Sequence, residues 1–219
     1  EYRKNFPKNV IFPKQYINLP LGKVLDSMGM RQLRIAETEK FPHVTYFFNG
    51  GIPSPYSKED RIIIPSPKVA TYDLKPEMSA VEMTNVLLDR IKTQMYDFIL
   101  VNFANMDMVG HTGNLEAGIK AVKTVDYCIN ELLRTFTSYG GAVIITSDHG
   151  NIEEMVNLET GIMDTEHSLN PVPLIVAGTT ITPKTLPYGS LKDIAPTILD
   201  IMGIPKPTEI TGSSLIRTL

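Results

Sequence analysis

Between residues 79 and 145 the sequence changes hydrophobic period three times, and that alternation constrains the fold more than any other feature. Ala80, Met83, Leu87 and Ile91 recur at helical spacing behind Ser79, with Glu82 placed to complete a capping box. The apolar run Phe98 to Phe103 is too short for a second helix and reads as a buried strand. Asn114, a good N-cap, then opens a helical pattern through Ile119, Val122, Ile129, Leu132 and Phe136, closed by Gly140-Gly141. A second buried strand runs from Gly141 to Ile145. Helix, strand, helix, strand predicts an α/β fold, a mostly parallel sheet flanked by helices. The 114–137 helix is then the crossover between strands 98–103 and 141–145, laid side by side and parallel.

The flanking regions are less periodic. Residues 1–20 read as an exposed lead-in or linker with an edge strand at Val10 to Phe12, and residues 21–219 as the main unit. Within it, Leu21 to Met28 is a short helix stopped by Gly29, and Gln32 to Ala36 an alternating strand. Prolines across 52–76 mark an irregular surface connection around one strand, Arg61 to Ile64. Val172 to Val176 is a further strand. Asp193 is placed to cap a last helix that turns Ile194, Ile198 and Ile201 inward and stops at Gly203.

Composition narrows the function. With 219 residues and 42% apolar content the chain can bury a sizeable core. A net charge of −3 offers no basic field for nucleic acid, and no apolar run is long enough to span a bilayer. Cys128, the single cysteine, can form no internal disulfide, which points to a reducing, cytoplasmic setting. The chain opens on Glu1 rather than methionine, so it reads as cut from a longer one, and the lack of a targeting signal carries little weight.

Chemistry concentrates where the strands end. Asp148-His149-Gly150 follows the strand to Ile145, and ligands of α/β proteins gather at the carboxyl ends of strands. Asp107 and His111 follow the strand to Phe103, four positions apart, so on a helix they share one face. His167 lies in a polar loop before the last strand. Each cluster alone is unremarkable surface, but together they hold three of the chain's four histidines with two carboxylates. That combination predicts metal binding. Asp148 and His149 are sequence neighbours whose side chains leave in different directions, so they suit two different ions better than one.

Mixed nitrogen and oxygen donors suit Mn²⁺ or Zn²⁺ better than Mg²⁺ or Ca²⁺. Two ions need roughly six to eight protein ligands. This chain offers five, so water, substrate or residues from elsewhere complete the shells. Lys40, set among acids and aromatics after the strand to Ala36, is either a solvated lysine or a substrate contact. His43 reads as packed among aromatics, and no glycine-rich phosphate loop is present. These residues predict most of a two-metal phosphoryl-transfer site.

At this point the chain resembles the cofactor-independent (2,3-bisphosphoglycerate-independent) phosphoglycerate mutases. The phrases that carry the likeness are Leu33-Arg34-Ile35-Ala36-Glu37-Thr38-Glu39-Lys40-Phe41-Pro42-His43 and Ile64-Pro65-Ser66-Pro67-Lys68-Val69-Ala70-Thr71-Tyr72-Asp73. Asn102 to His111, Thr146 to Asn151 and Glu166-His167-Ser168 complete them, so the likeness covers nearly the whole chain. It implies an alkaline-phosphatase-superfamily fold and two Mn²⁺ ions, with Mg²⁺ or Zn²⁺ as alternative occupants. By the same resemblance Asp107, His111 and His167 match the ligands of one ion, Asp148 and His149 match part of the other shell, and Lys40 matches a substrate-contacting lysine.

The implied reaction interconverts 3- and 2-phosphoglycerate, a step of glycolysis and gluconeogenesis, through a phosphoserine. The family's nucleophilic serine, another metal-binding aspartate and the inserted phosphotransferase domain have no matching phrase here. Residues 21–219 therefore resemble the C-terminal part of the metal-binding phosphatase-like domain, lacking its N-terminal strands, with an N-terminal part of the same enzyme as partner. Such a sheet should expose an edge, and this segment alone is expected to be inactive. Two alternatives stay open. One is another phosphatase or phosphomutase of the superfamily, which the Lys40 phrase disfavours; the other is a non-catalytic metal-binding fragment.

Overall fold

The computed structural model describes residues 17–157, 160–182 and 184–216. The expected strand at Val10 to Phe12 lies outside them. The order is α1 (Leu21–Ser27), β1 (Gln32–Glu37), β2 (Glu59–Ile64), α2 (Ala80–Lys92), β3 (Phe98–Asn102), α3 (Asn105–Gly110), α4 (Leu115–Ser138), β4 (Ala142–Thr146), β5 (Leu174–Gly178) and α5 (Ile194–Ile201). Strands β2, β1 and β3 form a parallel sheet in that spatial order, with Gln32 opposite both Glu59 and Phe98.

Helices cover this sheet on both faces. Leu33 and Ile35 point to one side and pack with Met83, Leu87 and Ile91 of α2 and Leu132 of α4. On the other side Phe98 packs with Leu21, Val24 and Leu25 of α1 and Leu199 of α5. Strand β1 is therefore buried along its whole length. That outcome explains the polar positions in its alternating pattern: Gln32 and Arg34 face the second helix layer, not water. The Arg34 guanidinium lies over the rings of Phe48 and Phe98, at 4.5 and 5.1 Å, and donates from Nη2 to Gln32 Oε1 at 2.6 Å. Burial, only partly offset by the charge of Glu59, lowers its pKa to about 10.

One topological expectation fails. β4 does not lie beside β3; it pairs antiparallel with β5, Ala142 opposite Gly178, in a separate two-stranded sheet. The helical pattern between the two strands requires a crossover but does not fix which sheet position the chain returns to. α4, with 24 residues, is about 36 Å long and contacts both α2 and β4. Among the described residues β3 pairs only with β1, and β4 only with β5. Their apolar residues are accordingly half-buried where those of β1 are buried. These open edges match the expectation of an incomplete sheet.

Two helix starts also differ in detail. Asn114 caps α4 as expected, its side chain accepting from Ala117 N. Ser79 stands at the start of α2 without a capping box, because its hydroxyl donates to Pro65 O at 2.8 Å and its N–H to the buried Glu37 Oε1 at 2.9 Å. Asp193 does not cap α5 with its own side chain; it closes a box with Ser190 one turn earlier, its carboxylate accepting from Ser190 N at 2.8 Å.

Candidate metal centre

β1 and β3 are parallel neighbours, so the segments after them emerge at the same end of the sheet. After β1, a single 3-10 turn, Thr38–Lys40, presents Lys40. After β3, α3 presents Asp107 and, one turn on at its C-cap, His111. The Lys40 ammonium pairs with Asp107 Oδ2, and both side chains are largely shielded from water. Asp107 Oδ1, the other oxygen, faces His111 Nε2 at 3.2 Å and His167 Nε2 at 3.0 Å. One ligand atom from each of Asp107, His111 and His167 falls within 4.8 Å of the others.

The second cluster lies alongside. The His149 ring stacks on His167 with centroids 3.7 Å apart, and its Nε2 is 3.8 Å from Asp107 Oδ1. Asp148 Oδ2 is 3.7 Å from His149 Nε2. These two side chains thus end near each other, contrary to the divergence expected of sequence neighbours. The structure brings all five candidate ligands and Lys40 into one cluster. His43, read from sequence as packing, does stand 5.3 Å from the Phe47 ring. It also stands near enough to Lys40, Asp148, Asp107 and His149 to feel their charges; burial first, then the Lys40 ammonium, lowers its pKa.

The donor chemistry fits a cation. His111 Nδ1 lies 2.6 Å from Thr165 O, a carbonyl that can only accept, so the ring proton belongs on Nδ1. That leaves a lone pair on His111 Nε2, which faces Asp107 Oδ1 and, at 3.2 Å, His167 Nε2. A backbone carbonyl that takes the Nδ1 proton and so fixes the tautomer is the usual arrangement of a metal-binding imidazole. Burial alone would raise the Asp107 carboxyl, but the Lys40 ammonium hydrogen-bonded to it brings it below the ordinary carboxylate range. The oxygen stays charged where a cation would need it.

Residues outside the candidate set shape the walls. Asn151, buried, lies against Gly110 of α3, and a Cβ on Gly110 would sit 1.9 Å from Asn151 Oδ1. The Glu153 carboxylate accepts from the Ser168 hydroxyl, from Asn151 N at 2.8 Å and from Asn170 Nδ2 at 3.1 Å. Desolvation would raise its pKa, but these donors outweigh it and bring the group to about 2. Nothing in the sequence singles out Glu153, since Ser168 and Asn170 are distant from it along the chain. An open groove of about 1390 Å³ leads away from Asp148 and His149, past Leu169 and Val176, to Leu191 and Ile194.

The family profile described as Metalloenzyme superfamily matches residues 9–206. The 2,3-bisphosphoglycerate-independent phosphoglycerate mutase of Clostridioides difficile (strain 630) is 56% identical over 209 residues, covering 95% of this chain and 41% of that protein. Its counterpart in Vesicomyosocius okutanii subsp. Calyptogena okutanii (strain HA) is 52% identical over 217 residues, covering 99% and 42%. A phosphoglycerate mutase of Leishmania mexicana, crystallised at low cobalt concentration, superposes with a TM-score of 0.83 at 30% identity, covering 91% of this chain and 39% of that one. The chain shares that α/β, alkaline-phosphatase-like fold and spans about two fifths of the length of the curated relatives it matches.

Proposed function

This chain belongs to the Metalloenzyme superfamily, and on that premise we propose that it is the metal-binding part of a 2,3-bisphosphoglycerate-independent phosphoglycerate mutase. The observation that carries the reading is the convergence of Asp107 Oδ1, His111 Nε2 and His167 Nε2 on one point, with Lys40 held on the opposite oxygen of the same carboxylate. The substrates are 3- and 2-phosphoglycerate. The ion is Mn²⁺, the choice that mixed imidazole and carboxylate donors favour over Mg²⁺.

When bound, such an ion supplies positive charge that offsets the phosphoryl oxygens and lowers the pKa of a nearby hydroxyl. The chain's own residues do the rest. Asp107, His111 and His167 would hold one such ion. Asp148 and His149 would hold part of the shell of a second ion, and the remainder of the longer protein would supply the nucleophilic serine. That serine takes the phosphoryl group from the 3-oxygen, the glycerate reorients, and its 2-hydroxyl takes the group back. Lys40 places its ammonium against the charge of the transferring group.

The size of the groove supports a part of a larger enzyme. At about 1390 Å³ it exceeds the ~300–1,000 Å³ of ordinary small-molecule sites. Leu169 and Tyr188 stand almost wholly exposed along it. A three-carbon phosphate ester needs little of that space, and the rest suits further protein, as do the open edges of β3 and β4.

The test is a coupled assay of the longer protein that carries this chain. Conversion of 3- to 2-phosphoglycerate without added bisphosphoglycerate is expected, lost on chelation and restored by Mn²⁺. Conversion that survives chelation, or that requires bisphosphoglycerate, contradicts the reading.

A further inference from the structure

We propose that Glu153 is a positioning residue that ties three segments of the metal centre together and so sets the spacing of its ligands. The inference rests on the reading of this cluster as a cation site. His149 and His167 come from loops far apart in the chain, yet their rings stack. One backbone feature joins those loops directly: Gly150 bridges Ser168, with Ser168 N donating to Gly150 O at 3.0 Å. A single short bridge leaves the loops free to pivot. The Glu153 carboxylate removes that freedom by reaching both sides. One oxygen, Oε1, takes the Ser168 hydroxyl and Asn170 Nδ2, on the residues that follow His167. The other, Oε2, takes the N–H of Asn151, two residues after His149.

The third segment joins through Asn151. Its side chain is buried against Gly110, which lies between Asp107 and His111. Holding Asn151 therefore seats the α3 side of the centre as well. Two glycines make the approach feasible. A Cβ on Gly150 would fall 2.2 Å from Ser168 Oγ and 2.3 Å from Glu153 Oε1, and one on Gly110 would strike Asn151. The neighbouring Glu154 carboxylate also accepts from Asn170 Nδ2, at 2.8 Å, and its backbone N–H donates to Asn151 O at 3.0 Å, but among the described residues its carboxylate holds neither Ser168 nor the Asn151 N–H. Its carboxylate therefore meets the His167 segment at Asn170 alone, where that of Glu153 takes Ser168 and Asn170 together with the Asn151 N–H. Charge-assisted bonds to backbone and hydroxyl donors are about twice as strong as neutral ones, which suits one carboxylate to this task. Outer partners of metal ligands commonly change affinity by about 10–100-fold when removed.

The experiment compares Glu153→Ala, Glu153→Gln and Glu154→Ala in the longer protein that carries this chain. Mn²⁺ affinity is read by calorimetry, and amide exchange of the metal-free protein by mass spectrometry. Glu153→Ala is expected to weaken Mn²⁺ about 10–100-fold and to speed exchange around Ser168 and Asn151, with the melting temperature of the metal-free protein little changed. Glu153→Gln recovers part of the affinity, because an amide offers one acceptor oxygen where the carboxylate offers two. Glu154→Ala stays near wild type. Wild-type exchange around Ser168 and Asn151 in Glu153→Ala overturns the proposal, as does a loss of affinity matched by a general loss of folding. Should the parent protein bind no Mn²⁺ at all, the cation reading fails, while the exchange comparison still decides whether Glu153 joins the loops.

Discussion

Lys40 and Glu37 lie three positions apart at the end of β1 and show how charge is distributed beneath the site. Lys40 neutralises Asp107 through Oδ2 and leaves Oδ1 turned to the imidazoles. In the proposed reaction the same ammonium meets the transferring group, so Lys40→Ala should lower kcat by about 10²–10³, the scale of one preorganised electrostatic contact. Steady-state kinetics of the longer protein check this, and an unchanged kcat removes Lys40 from the reaction. Glu37 is the opposite case. Burial pushes its carboxyl pKa up, with the N–H of Ser79 only partly countering it, and Glu37 Oε2 has no hydrogen-bond partner among the described residues. A raised carboxyl means that the folded state binds the proton more tightly than the unfolded chain. Its stabilising contribution is full below the unfolded pKa and is lost as pH rises through the folded one. Glu37→Gln keeps an acceptor for Ser79 and cannot ionise. Denaturant unfolding should find the variant gaining on wild type by on the order of 1 kcal/mol from pH 4 to pH 8, and a gap that narrows with rising pH contradicts this assignment.

At the scale of elements, β3 and β4 are the informative pair. Each has one partner strand among the described residues and residues that are only half-buried. The amides of β3 not bonded to β1 should exchange rapidly in the 219-residue chain by itself and become protected in the longer protein, as hydrogen exchange can show. Equal exchange in both leaves the open edge unexplained by a missing neighbour. This is also where sequence reading reached its limit. Period and length identified β1, α2, β3, α4 and β4, because each buries a face whose spacing is local. Pairing is not local: the pattern over 115–138 dictates a crossover helix, but nothing in it says whether the return is to the next position or beyond. Ser79 and Asp193 fail as simple caps for a related reason, since Pro65, Glu37 and Ser190 compete for them through folded contacts. The candidate ligands were legible because three histidines sit just after or before strands. Glu153, Asn151 and Gly110 were not, because their partners lie on other segments of the site.

For the whole molecule, the parallel sheet with helices on both faces brings the segments after β1 and β3 to one end, and the loops around His149 and His167 close over them. Among the described residues no helix is long and apolar enough to cross a membrane. The chain covers about two fifths of its curated relatives, and the function proposed for it is that of the longer enzyme. Everything in that proposal depends on Asp107, His111 and His167 holding one cation. Pulsed electron paramagnetic resonance of Mn²⁺ added to the longer protein reads directly which nitrogens are bonded to the ion. The account predicts nitrogen couplings from imidazole that diminish in His111→Ala and in His167→Ala. Bound Mn²⁺ with no nitrogen coupling, or couplings that both substitutions leave intact, would contradict it.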